Sequence, residues 1–249
     1  MRAKGLFWAC LLSVGSVACV ADDLTLPAGA RIGIIGMLST DITHYHVGKS
    51  PAQSFMRTYR VGWPAAEVVD DPLANELENA GFEPVFLEPS GPLRRQRQAW
   101  IVSNPQAARL PRGAMEELAR IVAAESLAAL IIVAAGPNSS PESVAGNRLR
   151  KLPAYVQGWG FSTSDEPGGT TRPVVFNLTQ MLLIGKGRDN VELAFREWGG
   201  NFVYDWPGFE PGADLKALPA EEIEKFRPVI ADVMLRQVAR LMPHIKVGS

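Results

Sequence analysis

Residues 127–135 read LAALIIVAA, an unbroken apolar run closed by Gly136-Pro137. Such a run fits a β-strand covered on both faces, because a strand with one wet face alternates apolar and polar side chains. A strand of that kind needs a layer above it and a layer below it. The chain has 249 residues, 47% of them hydrophobic, which is enough for a sizeable core, and one α/β domain is the natural expectation.

The flanking pattern alternates between strand and helix signals. Residues 30–38 (ARIGIIGML) read as a first strand, ended by the turn-forming Ser39-Thr40-Asp41. Residues 42–47 (ITHYHV) alternate, and a β-hairpin joining the two is the simplest reading. Residues 49–60 have no clean period and fit a loop or a further strand. Trp63-Pro64 can open a helix, Val69, Leu73 and Leu77 stack on one of its faces, and Gly81 is placed as its stop. Pro72 within it demands a kink or a second start capped by Asp70 or Asp71. Residues 83–87 (EPVFL) read as a strand. From Pro111 onward, Met115, Leu118, Ala119 and Val122 return at helical spacing.

After the apolar run the character changes. Residues 155–163, 174–184 and 191–198 are three alternating segments separated by turn-rich stretches, which is the pattern of a meander. Asn177 and Thr179 alternate with Phe176 and Leu178, as in a half-exposed strand. In residues 219–242, Ile223, Phe226, Ile230, Val233, Met234, Val238 and Leu241 support a helix interrupted or restarted at Pro228. Glu221 and Glu222 complement the dipole near its start. The expected fold is a single α/β domain over residues 22–249, a sandwich of a mixed sheet with an antiparallel three-strand meander in its second half, packed against helices.

Residues 1–21 carry the parts of a secretory signal: Arg2 and Lys4, then the short apolar stretch 6–14, then small residues up to Ala21. The apolar stretch is too short for a spanning helix, and no other run approaches the ~20 residues that a membrane helix needs. Cleavage after Ala21 leaves 249 − 21 = 228 residues without cysteine, since the chain's two cysteines are Cys10 and Cys19. The mature chain then forms no disulfide and relies on its core. Losing Arg2 and Lys4 takes the net charge from -1 to -3, which gives no basic footprint for nucleic acid. The expected location is periplasmic or secreted. The alternative is a lipid anchor through Cys19, where Ser16-Val17-Ala18-Cys19 resembles a lipobox with Ser in place of the usual Leu.

Residues 39–50 (STDITHYHVGKS) hold the densest chemistry. On a strand His44 and His46 share a face and could converge on a metal with Asp41 as a third ligand, but the pair lacks a distinctive spacing. The favoured reading makes them hydrogen-bonding groups on a surface face. Tyr45 and Val47 then pack inward, and replacing both histidines with alanine costs about 0.5 kcal/mol or less. Gly48-Lys49-Ser50 lacks the leading glycine of a phosphate loop, since Thr43 stands in its place. Ser39 ends the first strand, but no G-x-S-x-G elbow occurs and no Asp-x-x-His lies near the end of the chain. The basic stretch 94–97 with Arg109 and Arg112 reads as a solvated face. Trp159, Trp198 and Trp206, with Phe161 and Tyr204, read as packing between sheet and terminal helix, and any exposed subset would mark a partner groove.

The segment IGIIGMLSTDITHYHVGKSPAQSF resembles the opening of exported proteobacterial proteins of unknown function, over roughly a tenth of the chain. The element order is similar to that of α/β domains of envelope assembly proteins, such as the amino-terminal domain of TolB or curli-secretion lipoproteins. The resemblance implies a role in the envelope and transfers no catalytic residue. The sequence therefore points to a non-catalytic protein that binds a protein or envelope component, with Asp41, His44, His46, Trp159, Trp198 and Trp206 as candidate binding residues and no cofactor. Its alternative is a metal-assisted or serine hydrolase centred on Ser39, Asp41, His44 and His46.

Overall fold

The computed structural model describes residues 23–95, 112–136, 156, 158–165, 171–187, 190–198, 203–206, 208–210 and 214–248. Residues 1–22 with both cysteines, residues 96–111 of the basic stretch, the break after Gly136 and the Tyr204 side chain lie outside these. In chain order the strands are β1 (Leu24–Leu26), β2 (Arg31–Gly36), β3 (Asp41–Val47), β4 (Phe55–Arg60), β5 (Glu83–Phe86), β6 (Ala129–Ala135), β7 (Gly158–Asp165), β8 (Thr171–Lys186), β9 (Val191–Trp198), β10 (Val203–Asp205) and β11 (Ile245–Val247). The helices are α1 (Asp70–Asn79), α2 (Gly91–Arg95), α3 (Arg112–Ala124), α4 (Ala220–Glu224) and α5 (Phe226–Leu241).

Nine strands form one mixed sheet, ordered β4-β3-β7-β8-β6-β2-β5, with β9 and β10 also on β8. β8 joins two halves. Its first half pairs with β7 and β10, and its second half pairs with β6 and β9. β7, β8 and β9 form the antiparallel meander expected from the alternating segments. β1 and β11 make a separate parallel pair.

In the β5-β2-β6 half, β2 is parallel to both neighbours and helices cover both faces. Ile32, Ile34, Ile131, Val133, Met181 and Leu183 pack against α1 and α5. Ile35, Leu130, Ile132, Leu182 and Ile184 pack on the other side against Leu118 and Val122 of α3. β6 is the expected doubly covered strand, and each large side chain buried there contributes roughly 1.5–3 kcal/mol.

Helix boundaries follow local chemistry. Pro72 is the third residue of α1, where the backbone N–H has no intrahelical partner to lose, so the helix makes a second start after a 3-10 turn over Ala65–Val68. Gly81 closes α1 at φ +87, with Gly81 N–H donating to Glu78 O and Phe82 N–H to Leu77 O. Pro228 likewise falls in the first turn of α5, a restart rather than a kink.

Two expectations are corrected. β2 and β3 form no hairpin: β2 pairs with β5 and β6, and β3 pairs with β4 and β7. The hairpin of this region is β3–β4. The division follows the side chains, since β2 is apolar on both faces and β3 carries polar groups on both. Asn177 and Thr179 are not half-exposed but fully buried. Gln237 of α5 accepts hydrogen bonds from Asn177 Nδ2 and Thr179 Oγ1, both at 2.9 Å, which satisfies polar groups that would otherwise be costly to bury.

Candidate functional site

The β3–β4 ribbon gathers most of the chemistry-bearing residues. Along β3 burial alternates strictly: Ile42, His44 and His46 point into the protein, while Asp41, Thr43, Tyr45 and Val47 lie on the opposite, partly open face. This reverses the expected register. His44 is fully buried and His46 nearly so. The reason lies in β7, which runs parallel to β3 and places Phe161 beside His44 and Thr163 beside His46. The His44 ring stacks on Phe161 with centroids 4.3 Å apart and meets the edge of Phe55 at 5.2 Å.

The two imidazoles share one hydroxyl. His44 Nε2 and His46 Nδ1 each lie 2.8 Å from Thr163 Oγ1, and His46 Nε2 faces Asp165 Oδ1 at 3.5 Å. A carboxylate only accepts, so neutral His46 carries its proton on Nε2 and its Nδ1 accepts the Thr163 O–H. Thr163 Oγ1 then accepts from His44 Nε2–H. His44 Nδ1 is left as a bare lone pair, buried and without a hydrogen-bond partner among the described residues. Burial, then the charge of neighbouring His46, pushes the His44 pKa down to about 3. Burial also lowers that of His46, against the opposing pull of Asp165.

Asp41 does not join this group, because its odd position puts it on the other face of β3. There it lines a cavity of about 220 Å³ with Ser39, Thr43 and Thr58. The four residues of the hydrolase alternative thus divide between two faces of one strand. Among the described residues no set of three or more His, Cys, Asp or Glu side chains is grouped to hold a metal ion.

Two of the three candidate tryptophans lie in the core, and Trp159 also lines the cavity of Asp41. Trp159 and Trp206 are buried, Trp159 edge-on to Trp63 at 5.9 Å and Trp206 against Phe161, Phe209 and Phe226. Trp206 therefore joins sheet to terminal helix. Trp198 is half-buried at the end of β9.

The sequence reading missed Thr163 and Asp165. Their i, i+2 spacing on β7 mirrors that of His44 and His46 on β3, but only the parallel register brings the two pairs together. It also missed Gly160, whose backbone lies so close to Thr43 O that an added Cβ would stand 2.0 Å from it, with Phe176 across the other side. In the helix-covered half, Asp70 lines a cleft of about 380 Å³ with Asp71 and Glu88, at the carboxyl ends of β2 and β5. Burial, then the charge of Asp71, raises the Asp70 pKa to about 6.

The sheet ends in two unlike edges. β5 has four residues and contains Pro84, which removes a ladder donor. β4 has six residues and no proline, and Met56, Arg57, Thr58 and Arg60 along it are exposed. Beside it lies a shallow depression of about 610 Å³ lined by Tyr45, Val47, Pro51 and Met56 among others. No helix among the described residues is long and apolar enough to cross a membrane.

Comparison with known proteins adds little. No family model matches the chain, and no curated protein does. A solved structure, that of the hypothetical protein CT253 from Chlamydia trachomatis, aligns over 84% of this chain and 95% of its own at 8% identity, with a TM-score of 0.34. A likeness that distant carries no functional argument.

Proposed function

We propose that this is an exported envelope protein that acts by binding, taking an extended segment of a partner protein along the outer edge of β4, which pairs with no strand there among the described residues. The observation that supports this most is the contrast between the two sheet edges. An unblocked edge strand offers a row of N–H and C=O groups to an added strand, and natural proteins usually blunt such edges. β5 is blunted by its length and Pro84; β4 is longer and has no proline. Arg57 and Arg60 define which strand fits. Arg57 and Arg60 lie on opposite faces of β4, so a cationic extended segment would meet like charge on both faces. An acidic extended segment meets the reverse situation, and the depression beside Met56 can take one of its side chains. Export rests on the pattern of residues 1–21, and the envelope role on that pattern together with the likeness in element order. The hydrolase alternative is less favoured, because Ser39 and Asp41 lie across β3 from the histidines.

A photo-crosslinking residue placed at Met56 in the full chain, expressed in the producing cells, tests this. A discrete protein adduct is expected. It should disappear in an Arg57→Glu/Arg60→Glu variant and be missing when the crosslinker sits at the exposed Phe86 of β5. Equal labelling at both edges, or an adduct indifferent to the arginine reversal, would remove the proposal.

A further inference from the structure

The cavity that holds Ser39 and Asp41 has a position and, apart from Thr58 of β4, a lining that the partner-binding reading does not use. In the order β5-β2-β6 the three strands run parallel, and from the end of β2 the chain crosses to β3 and β4 on the far side of the sheet before returning through α1 to β5. A crevice lies outside the carboxyl ends of β2 and β6. The cavity occupies that crevice, bounded by Leu38 and Ser39 after β2, by Ala135 at the end of β6, and by the start of β3 and β7.

Its polar groups are largely uncommitted. Ser39 Oγ accepts a hydrogen bond from Asp41 N at 3.1 Å and keeps its own O–H to donate. Thr43 and Thr58 stand directly opposite each other in the β3–β4 register. Neither their hydroxyls nor the Asp41 carboxylate has a protein partner among the described residues. Three hydroxyls that both donate and accept, with one carboxylate that accepts, match a ligand whose own groups do both. Arg60 stands across from Asp41 in the β3–β4 register, and a cationic residue next to the carboxylate favours a neutral occupant over a cation. At about 220 Å³ the cavity is below the range for drug-sized ligands, which limits the occupant to about a single sugar ring. We infer that this cavity binds a small neutral polyhydroxylated molecule of monosaccharide size, held by Ser39, Asp41, Thr43 and Thr58.

Amide chemical-shift titration of the full-length mature protein decides this, with D-glucose and N-acetyl-D-glucosamine as probes and ethanolamine as the amine control. At least one sugar should give saturable shifts centred on residues 38–43, Thr58, Ala135 and Gly158, with a dissociation constant in the millimolar range usual for so small a ligand. Thr43→Val and Thr58→Val keep side-chain shape and suit a strand, so they test the hydroxyls without disturbing the fold. Each should weaken binding several-fold, and Asp41→Asn by about tenfold. Only linear, non-saturating shifts with both sugars, saturation by ethanolamine alone, or unchanged binding in the valine variants would overturn the inference. None of these outcomes depends on whether β4 captures a partner.

Discussion

The two halves of the sheet bury their interiors by different means. Around β2, β5 and β6 the core is hydrocarbon on both faces, and Ile32, Ile34, Ile131, Val133 and Leu183 make no demand on hydrogen bonding. Around β3 and β7 the inward row reads Ile42, His44, His46 against Phe161, Thr163 and Asp165. There a chain of shared protons replaces part of the hydrocarbon. An apolar interior loses stability in proportion to the volume removed, whereas a polar one fails when a single partner is lost. The polar half should therefore be the more sensitive to small chemical changes.

The largest effect expected is that of His44→Ala/His46→Ala, which empties two buried ring sites and leaves Thr163 unpartnered. Urea unfolding should show a loss of about 4 kcal/mol or more. A loss near the ~0.5 kcal/mol of a surface change would restore the outward register of β3. Next, Thr163→Val keeps the side-chain shape but strands His44 Nε2–H and His46 Nδ1, at a cost of about 3 kcal/mol, whereas Ile131→Val in the hydrocarbon half should cost about 1 kcal/mol. If the two losses are equal, the distinction between the halves fails.

Acid titration distinguishes the halves by sign. His44 holds its pKa near 3 in the fold against an ordinary 6.5. The unfolded chain thus takes up a proton below about pH 6.5 that the folded chain refuses, and stability falls toward acid by about 1.4 kcal/mol per pH unit. Asp70 works the other way. Its folded pKa of about 6 exceeds the ordinary 3.8, so stability is lost as pH rises between the two values and stays lower above them. Asp70→Asn should therefore gain about 2 kcal/mol above pH 6 and nothing below about pH 4. Between those limits it should also expose the His44 decline that Asp70 offsets in the parent chain. Denaturation midpoints across pH 3.5–8 would reveal a variant curve merely parallel to the parent, which would contradict the assignment. Smallest of all, Arg112→Ala, which breaks the exposed pair with Glu116 on α3, should move stability by less than about 0.5 kcal/mol by the same measure.

Much of the hydrocarbon half was legible in the sequence. The run around Ile131 fitted a strand covered twice, Val69, Leu73 and Leu77 marked the buried stripe of α1, and Gly81 marked its end. The candidate site was legible only in part. The odd and even positions of β3 carry nearly balanced sets, Thr43, Tyr45 and Val47 against Ile42, His44 and His46, so hydropathy does not choose between the two registers. Polarity argued for the wrong one, because a histidine reads as a surface residue until its partner is known. Asn177 and Thr179 misled in the same way, since Gln237 lies far along the chain from both.

What the sequence determined by itself is whatever rests on near neighbours: strand and helix periods, the breaks at Pro72 and Pro228, the turn at Gly81, and the layered α/β class that the doubly apolar β6 requires. What only the tertiary structure decided is which polar groups may be buried. That depends on a partner's arrival, and Thr163 reaches His44 from 119 residues away. Local pattern encodes whether a side chain is polar; the long-range pairing of β3 with β7 determines whether that polarity is satisfied, and hence which face of β3 turns inward.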